Sequence, residues 1–157
     1  MKKYDDQPLR FLIPFFLQTL WVFIMSSPTY LLNKTSSPEL TFSVYFGWTI
    51  WGTGFIIEAL ADYQKSVFLD DEANDGKFIK TGLWSISRHP NYFGEIMLWS
   101  GLFISAAGSF TSSIEYLSIF SIAFIYLLLR YVSGISLLEK NGEKRWGHQE
   151  LLYLVKT

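Results

Sequence analysis

The stretch "SISRHPNYFGEIMLWSGLFISAAG", Ser85–Gly108, changes character halfway along. Its first part gathers an arginine, a histidine, a proline, an asparagine, a tyrosine and a glutamate. From Ile96 onward it is apolar or small. Proline suits the first turn of a helix, because the missing N–H would have had no partner there. A helix is therefore predicted from near Pro90 to Gly108. Asn91, Tyr92 and Glu95 fall in its first turns, among backbone N–H groups that no earlier carbonyl satisfies. Such a terminus attracts anions, and Arg88 and His89 stand at its lip. The competing reading is a capped helix whose cations meet lipid headgroups.

Working outward, the apolar half belongs to a pattern. Half of the 157 residues are hydrophobic and 18% are aromatic, while 17% are charged, below the roughly 25% of soluble domains. Four apolar runs approach the roughly 20 residues that cross a bilayer: 9–32, 40–60, 92–108 and 115–138. In lipid each must satisfy its own backbone, so each is expected as a helix. The expected fold is all-α: a single membrane domain over 1–157, an integral bundle of about four transmembrane helices joined by a loop over 61–90. Twelve lysines and arginines lie on the side shared by the N-terminus, the middle loop and the C-terminus, and Lys34 alone lies opposite. That bias predicts a multi-pass protein with the loop and both termini in the cytosol.

Several chemistries are disfavoured. There is no cysteine, and His89 and His148 are the two histidines, so no metal site is expected. The net charge of −1 argues against a nucleic-acid partner. No glycine-rich phosphate loop and no "G-x-S-x-G" elbow occurs. His148 reads as a surface histidine.

The remaining polar groups are more telling. Glu58 and Asp62, four residues apart, share one helix face at the cytosolic end of the second run. "DDEANDGK", Asp70–Lys77, reads as a solvated turn. Glu95 lies one turn inside an apolar run. Arg130 lies about eight residues, or roughly 12 Å, inside the fourth. Ionisable groups inside a span usually face a partner or a cavity. Snorkelling by Arg130, or a plain ion pair with Glu95, Glu58 or Asp62, would also satisfy them. The preferred expectation is a polar cavity bounded by the second, third and fourth helices. Ser133 and Gly134 continue the face of Arg130, and the tail through Glu139, Trp146 and His148 lies across the cavity or along the headgroups.

Three stretches carry a resemblance: "GFIIEALADYQKSVF" (Gly54–Phe68), "GKFIKTGLWSISRHPNYFGEIMLWSG" (Gly76–Gly101) and "LLLRYVSGISLLEK" (Leu127–Lys140). Together they resemble the steroid 5-alpha-reductase-like membrane proteins, more narrowly a branch found in bacteria and eukaryotes. The resemblance implies NADPH bound from the cytosolic side and reduction of an activated carbon–carbon double bond in a steroid or other lipid. By motif match it implies cofactor contacts at Asp62, Asn91, Glu95 and Arg130, with Arg88, His89 and Tyr92 beside them. It assigns no catalytic residue. It covers only the C-terminal part of the family pattern, so the helices that hold the substrate carbonyl are expected from a partner chain, or the chain is inactive alone. More distantly, the "RHPxYxG" corner is similar to that of isoprenylcysteine and phospholipid methyltransferases, which hold S-adenosylmethionine. Glu95 directly after Gly94 and "ADxQK" at Ala61–Lys65 favour the reductase side. A small membrane protein that binds a nucleotide or lipid without catalysis is the third expectation.

Overall fold

The structure is a computed structural model that describes residues 8–34 and 39–132. Expectations placed on Ser133, Gly134, Glu139, Trp146 and His148, and on the end of the fourth run, lie outside the described residues. All elements described are helical: α1 (Pro8–Lys34), α2 (Phe42–Asp70), α3 (Pro90–Ala107) and α4 (Phe120–Leu127). A 3₁₀ segment, Ser113–Ile119, leads into α4, and a π turn, Leu128–Val132, follows it.

Helix α3 begins at Pro90, where the sequence places it. Helix α2 runs ten residues past the end of its apolar run, to Asp70, into the stretch read as loop. Hydropathy marks where apolar surface stops, not where a helix must. The extra turns are held by packing. Residues 71–89 fold back so that Ile79 and Trp84 bury themselves on Ala61, with Phe68 and Leu83 alongside. The Trp84 indole donates to the Ala61 carbonyl at 2.9 Å, and the Leu83 N–H donates to Gln64 Oε1 at 2.9 Å. Gly82, at φ +60°, lies against Gln64 where a Cβ would approach Oε1 to 2.5 Å. The Lys65 ammonium lies 5.7 Å from the Trp84 ring centre.

Helices α2 and α3 form the closest interface, and small residues make it. On α2, Gly47, Gly54 and Ala61 recur every seven residues; Gly94 and Gly101 of α3 and its capping Gly108 do the same. Spacing of seven keeps them on one stripe of each helix. A Cβ built on Gly54 would lie 2.6 Å from the Gly94 carbonyl, and one on Gly47 would lie 2.6 Å from the Gly101 carbonyl. The helices are thus antiparallel and in backbone contact. Such stripes serve helices in lipid, where close van der Waals approach takes over from the hydrophobic effect. Ser105 adds a hydrogen bond to the Val44 carbonyl at 3.3 Å.

Helices α1 and α4 close around the other face of α3. Met25, Ile125 and Leu129 form their core, joined by Tyr92, Ile96, Trp99 and Phe124. At the end away from Pro90, the Glu115 carboxylate accepts from the Thr111 and Ser112 N–H groups at 2.7 and 3.2 Å and pairs with Lys34 at 3.6 Å. Among the described residues two segments are long and apolar enough to cross a membrane, Leu12–Lys34 and Ser113–Tyr131. Large side chains also face outward along α1 and α2: Phe16 is 68% exposed, Phe23 75% and Phe42 82%.

Candidate functional site

The polar groups read from the sequence converge where the middle of α2 meets the start of α3. Gly54 and Gly94 bring the backbones together there, and Gly94 lies against the Glu58 N–H. This contact puts the next turn of α2 beside the first turn of α3. Asn91 donates its Nδ2 hydrogen to Asp62 Oδ1 at 3.0 Å. Glu58, Asp62 and Glu95 lie close enough to feel one another's charge, and Tyr92 lies within range of the charges of Glu95 and Asp62. Three carboxylates, one amide and one phenol therefore share one corner, with Asp62 exposed and the others half-buried.

The loop fixes the entrance. Trp84 and Gln64 anchor it to α2, which delivers Arg88 and His89 to the N-terminus of α3. The His89 and Tyr92 rings stack at 5.2 Å and 12°. Tyr92 in turn packs on the Met25–Ile125–Leu129 cluster, so its ring joins the polar corner to α1 and α4. His89 is the residue before the first helical turn, and its side chain makes no capping hydrogen bond, so it does not occupy the first N–H groups of α3.

One atom stands out. Asn91 Oδ1 is buried and has no hydrogen-bond partner among the described residues. The bond to Asp62 fixes which way the amide points, because Asp62 as a carboxylate can only accept. Asn91 Oδ1 is thus an acceptor that the packing closes off from water.

Arg130 sits apart in its contacts. It lies half-buried in the π turn, with its guanidinium 5.9 Å from the Tyr131 ring centre. Its neighbour Leu129 packs in the same cluster as Tyr92. The π turn rotates the helix face at this point, which a strict 3.6-residue reading of the run does not anticipate. Sequence reading passed over Trp99, whose indole lies beside the Glu95 carboxylate one turn on. It also passed over the supporting roles of Trp84 and Gln64. The signal for Trp99 was available, since residues i and i+4 share a helix face.

A family model described as "Protein of unknown function (DUF1295)" matches residues 1–154. A probable O-methyltransferase, ustE, from Ustilaginoidea virens is 34% identical over 62 residues, covering 40% of this chain and 22% of that protein. The chain thus spans about a fifth of the length of that relative. No solved structure matches.

Proposed function

The chain belongs to the DUF1295 family, and from that premise we propose that it is the cofactor-holding part of a membrane oxidoreductase, which uses NADPH to reduce a carbon–carbon double bond of a steroid or other lipid. The observation that carries the proposal is the convergence of Asp62, Asn91, Tyr92 and Glu95 on the N-terminus of α3, with Arg88 and His89 at its entrance. The residues fit the group. The open N–H groups of α3 and the Arg88 guanidinium suit phosphates. Asp62 and Glu58 suit the hydroxyls of a ribose, which donate to carboxylates. Bound NADPH would supply the hydride. The protein's own groups hold it: Asp62 orients Asn91, and the stack of His89 on Tyr92 walls one side.

In this reading α1, α2, α3 and the segment Ser113–Tyr131 that contains α4 cross the bilayer. Helix α2, at 29 residues and 1.5 Å per residue, is about 43 Å long, so its polar end stands clear of a hydrocarbon core about 30 Å thick. The exposed aromatic faces of α1 and α2 then meet lipid, and the loop with the polar corner faces the cytosol.

A second reading has its own support. Three carboxylates in one corner suit a cation, and S-adenosylmethionine carries a sulfonium and an ammonium; the similarity to the fungal O-methyltransferase points the same way. Thermal unfolding of the full chain in detergent separates the two. A ligand that binds only the folded state at 100 times its Kd adds about 2.7 kcal/mol. NADPH is expected to raise the unfolding temperature and S-adenosylmethionine to leave it unchanged. The reverse result would replace the first reading with the second.

A further inference from the structure

The face that α1 turns to the rest of the bundle carries Pro14, Gln18, Trp21, Met25 and Pro28, spaced alternately four and three residues apart. That spacing keeps them on one stripe of a helix. The far end of the stripe is packed. Pro28 is fully buried, and Met25, 2% exposed, meets Ile125 and Leu129. The near end is open: Gln18 is exposed, and Trp21 is 39% exposed. Here a groove of about 660 Å³ runs between the two segments. Pro14, Gln18 and Trp21 line it on α1, and Phe124, Leu127 and Leu128 line it opposite.

Gln18 is an unusual residue for this place. It lies six residues, about 9 Å, inside the apolar segment that begins at Leu12. Thr19, beside it, satisfies its hydroxyl on the Phe15 carbonyl at 2.8 Å. The Gln18 amide has no hydrogen-bond partner among the described residues, and neither has the Trp21 indole. An amide without a partner is costly in hydrocarbon, and polar groups inside a span usually face a partner or a cavity. Residues three apart are neighbours on a helix, so two groups able to donate stand together at the groove. Among the described residues no charged side chain lines it, and the rest of its wall is almost wholly apolar.

These features define the occupant: apolar in body, neutral, and bearing an oxygen that accepts. A carbonyl meets the need best, because it brings no O–H of its own to satisfy. We infer that this groove binds a neutral lipid, drawn from the bilayer, whose carbonyl oxygen accepts from Gln18. The volume suits one small ligand. Leu17, 57% exposed, and Leu127, 51% exposed, stand at its sides, so the groove opens laterally to lipid. It also backs onto the polar corner, since Leu129, next to Leu128 of the wall, packs with Tyr92. On the NADPH reading, on which this last step rests, the occupant is the lipid to be reduced and Gln18 holds its carbonyl.

The test uses the full chain in phosphatidylcholine nanodiscs. The probe is a heptadecanone with its carbonyl at mid-chain and a terminal diazirine. Photolabelling is expected to saturate, with or without NADPH, and to map to the peptides holding Leu17 and Leu127. Unlabelled heptadecanone should compete and heptadecane should not. Gln18→Leu should weaken saturation about five-fold, the loss of one hydrogen bond. Leu127→Trp fills the groove from the opposite wall and should abolish saturable labelling. Both variants should keep the NADPH titration of the unaltered chain, so a failure of this site and a failure of the corner are read separately. Labelling that rises without saturating and spreads to Phe42 and Phe46 would overturn the inference. So would equal competition by heptadecane, or unweakened labelling of Gln18→Leu. An absence of labelling, the result if a second copy of the chain or residues 133–157 fill the groove, would overturn it as well.

Discussion

Gly54→Ala probes the contact on which the polar corner depends. The added methyl would lie 2.6 Å from the Gly94 carbonyl oxygen, 2.7 Å from the Leu98 nitrogen and 2.9 Å from Met97 Cβ. Two of these three are backbone atoms, so no side chain can swing aside. Ordinary contact begins near 3.4 Å, and α2 and α3 must therefore separate by about 0.8 Å at this point. Overpacking of this kind typically costs about 1–3 kcal/mol. Gly52 supplies a matched control two residues away, because a Cβ there meets nothing within 4 Å. Gly52→Ala should be neutral or stabilising by up to about 1 kcal/mol, the helix preference of alanine over glycine. The assay is thermal unfolding of both variants in one detergent. At roughly 2–4 °C per kcal/mol for a chain of this size, the combined difference of about 1–4 kcal/mol should make Gly54→Ala unfold about 2–16 °C below Gly52→Ala. Asn91 lies three residues before Gly94, so the same separation should lengthen its bond to Asp62 and weaken cofactor binding. Equal unfolding temperatures for the two variants would refute the glycine contact between α2 and α3.

Trp84→Phe should keep most of the packing on Ala61 but lose the 2.9 Å indole bond to its carbonyl. A cost of about 1 kcal/mol is expected, read as faster proteolysis within residues 71–83. Glu115→Gln should weaken the bonds to Thr111 and Ser112 and remove the pairing with Lys34, measured as faster amide hydrogen exchange at Thr111 and Ser112. Because the chain has no cysteine, single substitutions report topology cleanly. Asp75→Cys should react with an impermeant maleimide from the cytosolic face and Lys34→Cys from the opposite face; labelling of both from one side would break the four-span reading.

Much of the helical plan was legible. Pro90 fixed a helix start because its chemistry is local. The end of α2 was not legible, because it depends on residues 79–84 folding back onto Ala61, a contact across about twenty positions. The seven-residue glycine spacing stood in the sequence at Gly47 and Gly54 and at Gly94 and Gly101, but hydropathy weighs glycine lightly and passes over it. At the corner, residue types announced Asp62, Asn91 and Glu95 as unusual for their surroundings. Their pairing was not announced: nothing in the sequence says that Asn91 donates to Asp62 and so turns its own oxygen inward. For Arg130, the π turn intervenes between the sequence spacing and the direction of the side chain.

The central claim, that the start of α3 and the adjoining turn of α2 hold NADPH, is tested most directly by equilibrium titration. The full chain in nanodiscs is titrated with NADPH, and energy transfer from its tryptophans to the nicotinamide is followed. The expected result is a saturable signal that Asn91→Ala weakens about ten-fold or more, that Asp62→Ala weakens similarly, and that excess S-adenosylmethionine does not displace. A flat NADPH titration, with saturable S-adenosylmethionine binding lost in the same two variants, would contradict it.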